Sequence, residues 1–216
     1  MAHVSTLFAD LSRHFRTQRM LRFVRVCGVH PGTTVLDVGG NPAIWLLLEE
    51  SQRPKITYLN MPRAAEPDDD RRRLVFADGR RLPFPNRAFD LVFSNSVIEH
   101  VGSAQSQAEF ASEVARVGKA YWVQTPNRRF PVEQHLMTPF VHWLPRTWQK
   151  NLVPRVTLWG LLTKSTAEER RFYFEHYLND IQLLDEEAVK QLFPEAAIDR
   201  ERLLGVTKSL IAVRLG

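Results

Sequence analysis

The segment Val35-Leu36-Asp37-Val38-Gly39-Gly40-Asn41-Pro42 constrains the fold more than any other stretch of this chain. An apolar strand runs into an acidic residue and then a tight glycine turn. Thr33 to Val38 is nearly continuous in its apolar character, which reads as a strand buried on both faces of a parallel sheet. A glycine turn at the end of such a strand lets the backbone approach a nucleotide-like ligand. The glycines do not recur as G-x-G-x-x-G, because Asn41, Pro42 and Ala43 follow. Two readings stay open on this motif alone: a ligand loop, or a plain tight turn.

The downstream pattern extends the sheet. Residues 5–27 read as an amphipathic helix with Phe8, Leu11, Phe15, Met20, Leu21 and Val24 on its apolar side and several Arg on the other. After the Pro31-Gly32 turn and the first strand, residues 43–50 read as helix and 55–60 as a second strand. Residues 62–70 read as a loop, 74–77 and 89–95 as strands, 105–117 as helix and 120–124 as a fifth strand. This alternation implies a doubly wound α/β sheet. Ile181 to Leu184 suggests a short strand, 185–193 a helix with Asp185 as its N-cap, and 197–203 and 209–215 two closing strands.

A length of 216 residues fits a single domain, with a helical segment over 1–30, a ligand-binding core over 31–125, an insertion or cap over 126–175 and closing strands over 176–216. No apolar run reaches the length of a membrane span. The N-terminus has no secretory apolar region, and the lone Cys27, read as a core thiol, forms no internal disulfide. Both favour a cytoplasmic protein. The net charge of +5 admits an anionic substrate, a nucleic acid or a membrane surface. The Arg71-Arg72-Arg73 run follows Asp68-Asp69-Asp70, so it reads as a solvated loop. No zinc-finger spacing or basic zipper points to nucleic acid, and none is expected as partner.

Three further motifs carry chemistry. Asn60 ends the second strand where a ribose-binding fold wants an acidic residue; Asn donates and accepts but carries no charge. Met61 follows it, and Arg63 keeps a 2′-phosphate reading open. Asp78-Gly79 after the third strand can present a carboxylate and a backbone N–H together, a match for the exocyclic amine and ring nitrogen of adenine, with Leu82 and Phe84 as apolar packing. The fourth strand ends in Ser94-Asn95-Ser96, where a ligand at the carboxyl edge of a sheet would lie.

These pieces, in this order, resemble class I S-adenosylmethionine-dependent methyltransferases of the small-molecule "type 11" kind. The resemblance covers about residues 33–125 and the two closing strands. It implies a Rossmann-like sheet of seven strands, mostly parallel with an antiparallel final strand, and S-adenosyl-L-methionine as cofactor with S-adenosyl-L-homocysteine as product. It assigns Asp37, Gly39 and Gly40 to the methionine end, position 60 with its neighbour Met61 to ribose, Asp78 and Gly79 to adenine, and Asn95 to the methionine side. The glycine loop and Asn60 depart from the family pattern. A segment from Thr125 to Pro145 is similar to one in a subset of these enzymes, where the acceptor pocket is usually built.

Methyl transfer needs alignment and exclusion of water more than covalent help, because the sulfonium is already a strong electrophile. A base is needed only if the acceptor must lose a proton. His135, oriented by Glu133, is the first candidate; His142 and then His100 follow. Each also reads as structural. Glu133, His135 and His142 do not have the spacing of a H-E-x-x-H metal helix, so no metal is expected. Trp143, Trp148, Trp159, Phe172, Tyr173 and Phe174 line an apolar acceptor pocket or form the core of a cap. Arg128 and Arg129 meet an acceptor anion or solvent.

The leading expectation is methylation of a small-molecule acceptor, with O-methylation favoured. An NADP-dependent oxidoreductase using Arg63 is one alternative, although no Tyr-x-x-x-Lys pair is evident. A non-catalytic module of the same fold is another. Nucleic-acid methylation is disfavoured because Ser94-Asn95-Ser96-Val97 stands where an Asn/Asp-Pro-Pro-aromatic tetrad would.

Overall fold

The computed structural model describes residues 2–61, 73–136, 138–152, 166, 168 and 181–216. Seven strands form one sheet: β1 (Thr34–Val38), β2 (Lys55–Asn60), β3 (Arg73–Phe76), β4 (Phe89–Asn95), β5 (Gly118–Pro126), and the closing pair β8 (Ala197–Leu203) and β9 (Val206–Arg214). Their order is β3-β2-β1-β4-β5-β9-β8. All neighbours from β3 to β5 are parallel; β9 alone runs antiparallel to both of its neighbours. The expected Rossmann-like sheet, mostly parallel with an antiparallel final strand, is therefore the observed one.

The apolar run predicted this burial. Val35, Leu36 and Val38 are at most 2% exposed because β1 is covered on both faces. On one face, α1 (Ala2–Cys27) drives Met20 and Phe23 into an aromatic cluster with Trp45, Phe93 and Trp122. The Phe23 and Phe93 rings lie edge to face at 4.9 Å. On the other face, α3 (Ala104–Val117) and α5 (Glu186–Leu192) bury Phe110, Val114 and Val189 against Val92, Tyr121 and Leu210. Both helices start on the caps their sequences supply. Ser103 accepts from the Ser106 N–H, and Asp185 accepts from the Ala188 N–H.

Several boundaries differ from the sequence expectation. The helix expected over 43–50 is only α2 (Pro42–Trp45), followed by a 3₁₀ turn at Glu50–Gln52. Past Trp45 the Leu47 and Leu48 N–H groups donate three residues back, to the Ile44 and Trp45 carbonyls at 3.3 and 3.2 Å, so the helix tightens and ends, and the Arg53 guanidinium then donates to the Leu48 carbonyl at 3.0 and 2.9 Å. Ile181 to Leu184 is not a strand; Leu184 makes a single bridge to Asn127. On α1 Met20 and Phe23 are buried, whereas Leu21, expected on the apolar side, is exposed. Arg19, expected on the polar side, is buried.

The insertion after β5 is not simply helical. It opens with a hairpin of β6 (Val132–Glu133) and β7 (Thr138–Pro139), followed by α4 (Arg146–Leu152). Arg63, the 62–70 loop with its Asp68-Asp69-Asp70 run, Arg71, Arg72, Trp159, Phe172, Tyr173 and Phe174 lie outside the described residues. No described helix is long and apolar enough to cross a membrane.

Candidate functional site

Strand order reverses between β1 and β4, and the crevice at their carboxyl ends is where an open α/β sheet binds ligands. A cavity of about 950 Å³ occupies this place. Gly39, Gly40, Asn60, Met61, Asp78 and Gly79 all line it. Thus six of the eight residues expected to bind cofactor meet around one space. The other two, Asp37 and Asn95, line an adjoining chamber of about 800 Å³, which shares Gly39, Asn41 and Ser96 with the first.

Gly39, Gly40 and Gly79 leave no room for a side chain, and a Cβ at Gly40 would stand 2.7 Å from the Tyr58 ring. Gly39 has φ +74°, a left-handed conformation, and a Cβ there would collide with the Val97 side chain. Gly79 faces the Phe110 ring, with a hypothetical Cβ 2.9 Å from it. The turn itself is held from β2: the Gly39 N–H donates to the Leu59 carbonyl at 2.8 Å, and the Asn60 side-chain amide donates to the Gly40 carbonyl at 3.0 Å. Asn41 caps α2, accepting from the Ala43 N–H at 3.0 Å. Of the two departures from the family pattern, Asn60 thus holds the glycine turn and Asn41 caps the helix that follows it.

Asp37 is buried, and its carboxylate accepts from Trp45 Nε1 at 2.7 Å. Burial pushes this carboxyl up to about 7, against the lowering effect of the Trp45 bond. Asp78 is half-open and fully engaged by Arg80. It accepts from the Arg80 backbone at 2.9 Å and from the guanidinium at 2.6 to 3.0 Å. That bond holds its carboxyl below the usual range. Leu82 and Phe84 do not face the cavity. Leu82 is buried in the core, and Phe84 packs edge to face on Phe89 at 5.0 Å.

A buried polar network reaches the adjoining chamber from α1, and the sequence reading missed it. Arg19 donates to both oxygens of Glu201 at 3.0 and 2.7 Å, to Asn95 Oδ1, and to Gln124 Oε1 at 3.0 Å. Gln124 Oε1 also accepts from Ser96 Oγ at 2.9 Å. Ser96 sits in the left-handed region at φ 56°, between the two cavities. The Arg19 position carries one sequence signal: it stands beside Met20, one turn from Phe23, on the side of α1 that packs on the sheet.

The insertion brings Glu133 to His135. His135 Nδ1 lies 2.7 Å from Glu133 Oε1, and Glu133 Oε2 accepts from the Leu136 N–H at 2.6 Å. Burial would lower the His135 pKa; the bond to Glu133 and its charge outweigh burial and raise it. Glu133 is fully buried and orients rather than acts alone. The His135 ring meets His100 edge to face at 5.1 Å, and His100 lines the larger cavity. His142 does not join them. Its Nε2 lies 2.9 Å from the Arg128 carbonyl, its ring stacks near Trp143, and burial lowers its pKa. Trp143 and Trp148 are exposed and line neither cavity. Arg128 is exposed, and Arg129 lies 3.5 Å from Asp185. Burial pushes the Cys27 thiol up to about 12, which leaves no nucleophile there.

The strand order and the switch-point cavity define an open, doubly wound type of α/β protein. Residues 55–120 match the family described as a methyltransferase domain. No curated protein sequence matches the chain. Among solved structures, the chain is similar to an S-adenosylmethionine-dependent methyltransferase of Methanosarcina mazei, at 14% identity and a TM-score of 0.50 over 87% of this chain and 94% of that one. It is also similar to magnesium protoporphyrin IX methyltransferase of Synechocystis with bound S-adenosylhomocysteine, at 13% identity and a TM-score of 0.51 over 94% and 84%. A Rhodobacter sphaeroides protein assigned as a zinc-dependent alcohol dehydrogenase is similar at 12% identity and a TM-score of 0.54 over 86% and 84%. At these identities the likeness is one of fold. Residues 55–120 thus match a methyltransferase domain, and the seven-stranded sheet is the Rossmann-like one that the methyltransferase neighbours share. The matched methyltransferase domain indicates S-adenosylmethionine as the cofactor.

Proposed function

We propose that the chain is one methyltransferase domain that transfers the methyl group of S-adenosyl-L-methionine to a small-molecule acceptor through an oxygen, releasing S-adenosyl-L-homocysteine. The observation that carries this reading is the convergence of Gly39, Gly40, Asn60, Met61, Asp78 and Gly79 on one cavity. In this reading Asp78 and Gly79 receive adenine, Asn60 and Met61 the ribose, and Gly39, Gly40, Asp37 and Asn95 the methionine end. The acceptor takes the adjoining chamber, whose wall carries Arg16, Arg19 and Lys208. Those cations suit an acceptor with an acidic group.

The chemistry asked of the chain is positional. The cofactor cavity and the chamber share Gly39 and Ser96, so methyl donor and acceptor meet across that edge. His135, held through Nδ1 by Glu133, is the group that takes a proton from the acceptor hydroxyl in this reading. His142, turned to the Arg128 carbonyl, has no part in this reading. The location proposed for such a chemistry is the cytoplasm, where the single thiol stays reduced.

The test is methyl transfer from radiolabelled S-adenosylmethionine to a panel of hydroxylated and carboxylated metabolites. The reading predicts a labelled ether or ester, and a His135→Ala variant that loses turnover while keeping cofactor affinity. Label appearing only on amines contradicts the oxygen acceptor. Saturable binding of NADP in place of S-adenosylmethionine contradicts the whole reading.

A further inference from the structure

We propose that the insertion after β5 docks on an anionic lipid surface through Phe140, Trp143 and Trp148. The three side chains are 54%, 52% and 61% exposed, although aromatic side chains of this size are ordinarily covered. They follow one another closely along the chain. Phe140 comes directly after β7, Trp143 closes the 3₁₀ turn Val141–Trp143, and Trp148 stands on α4. Phe140 and Trp143 pack on each other, with ring centroids 5.3 Å apart. None of the three lines either cavity of the site, so the methyl-transfer reading does not use them.

The independent observation is the backbone at Phe140. It has φ 60° and ψ −2°, a left-handed conformation that a bulky residue rarely adopts. Its N–H donates to the Pro131 carbonyl at 2.7 Å, which fixes the conformation within the hairpin. Glycine or asparagine would take this place at lower cost and without an apolar ring in water. Phenylalanine is thus unfavourable twice here, and strain of this kind gathers at functional surfaces. Trp143 is set by a different device. Its Nε1 donates to the Arg128 carbonyl at 3.0 Å, so the polar atom is satisfied within the protein and the ring offers carbon to its surroundings. On α4 the buried Gln149 holds the inner side, its Nε2 donating to the Leu144 carbonyl at 2.7 Å.

Charge selects a lipid surface as the occupant. Residues 134–167 contain no Asp or Glu, yet hold four Lys or Arg and three of the five Trp of the chain. Arg128, Arg129 and Lys150 are exposed, with Arg129 3.5 Å from Asp185. Tryptophan rings among long cationic side chains suit the headgroup layer. There the rings and alkyl stems meet acyl chains while the charges meet lipid phosphate. No described helix is long and apolar enough to cross a membrane, so the contact proposed is a peripheral one.

The test is flotation of the intact chain with vesicles of phosphatidylcholine alone and with vesicles carrying about 30% phosphatidylglycerol. The proposal predicts flotation with the anionic vesicles, and binding at least about tenfold weaker to the neutral ones or in about 0.5 M salt. Phe140→Gly removes the ring and relieves the backbone. It should therefore keep or raise the melting temperature while binding vesicles more weakly. Combined with Trp148→Ser, it should weaken binding to anionic vesicles at least about tenfold. No flotation at about 1 mM lipid overturns the proposal. So does vesicle binding that the double variant leaves unchanged. A dimer in lipid-free solution that the double variant dissociates also overturns it, because the face would then join two copies of the chain.

Discussion

The side-chain amide of Asn60 donates to the carbonyl of Gly40 at 3.0 Å, so the residue that ends β2 fixes the turn that ends β1. An aspartate at position 60 could accept from ribose hydroxyls but could not make this bond. Asn60→Ala should weaken S-adenosylmethionine binding about tenfold, the value of one hydrogen bond that organises a binding loop. Asn60→Asp should fail to restore it. Calorimetric titration of the three chains checks this, and unchanged affinity in Asn60→Ala contradicts the assigned role.

Gly39 combines φ +74° with a close approach to Val97. Gly39→Ala should therefore cost about 1–3 kcal/mol of stability and remove cofactor binding. Adding Val97→Ala should relieve the collision and recover part of the stability, while the backbone strain remains. Urea unfolding of the single and double variants measures both. A Gly39→Ala chain as stable as the original contradicts the description of the turn.

Arg19 and Glu201 make a buried ion pair, their side chains 5% and 12% exposed. Burial raises the Glu201 pKa, but the Arg19 bond and charge more than offset that and hold it below the usual range. Arg19→Met should cost about 3 kcal/mol, because Glu201 loses its two guanidinium bonds and keeps as its nearest described cation Lys208 at 3.6 Å. It should also loosen Asn95 and weaken cofactor binding. A change within about 0.5 kcal/mol contradicts the network.

Asp37 gives a pH signature. Its folded pKa, about 7, lies above the ordinary 3.8. Below pH 4 both folded and unfolded chains hold this proton, and Asp37 costs nothing. As pH rises from 4 towards 7 the unfolded chain releases it first, so stability falls, and above 7 the loss is complete. The melting temperature of the original chain minus that of Asp37→Asn should therefore decline across pH 4 to 7 and then level. A flat difference contradicts an Asp37 that is protonated at pH 5.

The strands were legible because burial on both faces forces a near-continuous apolar run, as in Val35-Leu36 and Leu91-Val92-Phe93. The lining of the switch-point cavity was legible because its candidates stand at or just after strand ends, and a parallel sheet gathers strand ends at one edge. What failed depended on distant partners. The early end of α2 is the exception, a local tightening to three-residue bonds at Leu47 and Leu48. Arg19 read as a solvent-facing cation, since its partners Glu201, Asn95 and Gln124 are far away in sequence. His142 was grouped with His135 by proximity in sequence, but the 3₁₀ turn at Val141–Trp143 directs it to the Arg128 carbonyl instead.

The central claim is that the cavity beside Gly39 and Gly40 holds S-adenosylmethionine. Calorimetric titration of the intact chain with S-adenosylmethionine and S-adenosylhomocysteine tests it most directly, with Asp78→Ala alongside. The account predicts one site per chain for each sulfur ligand and a clear loss of affinity for both in Asp78→Ala. No binding of either at about 1 mM, weaker than about 4 kcal/mol, contradicts it.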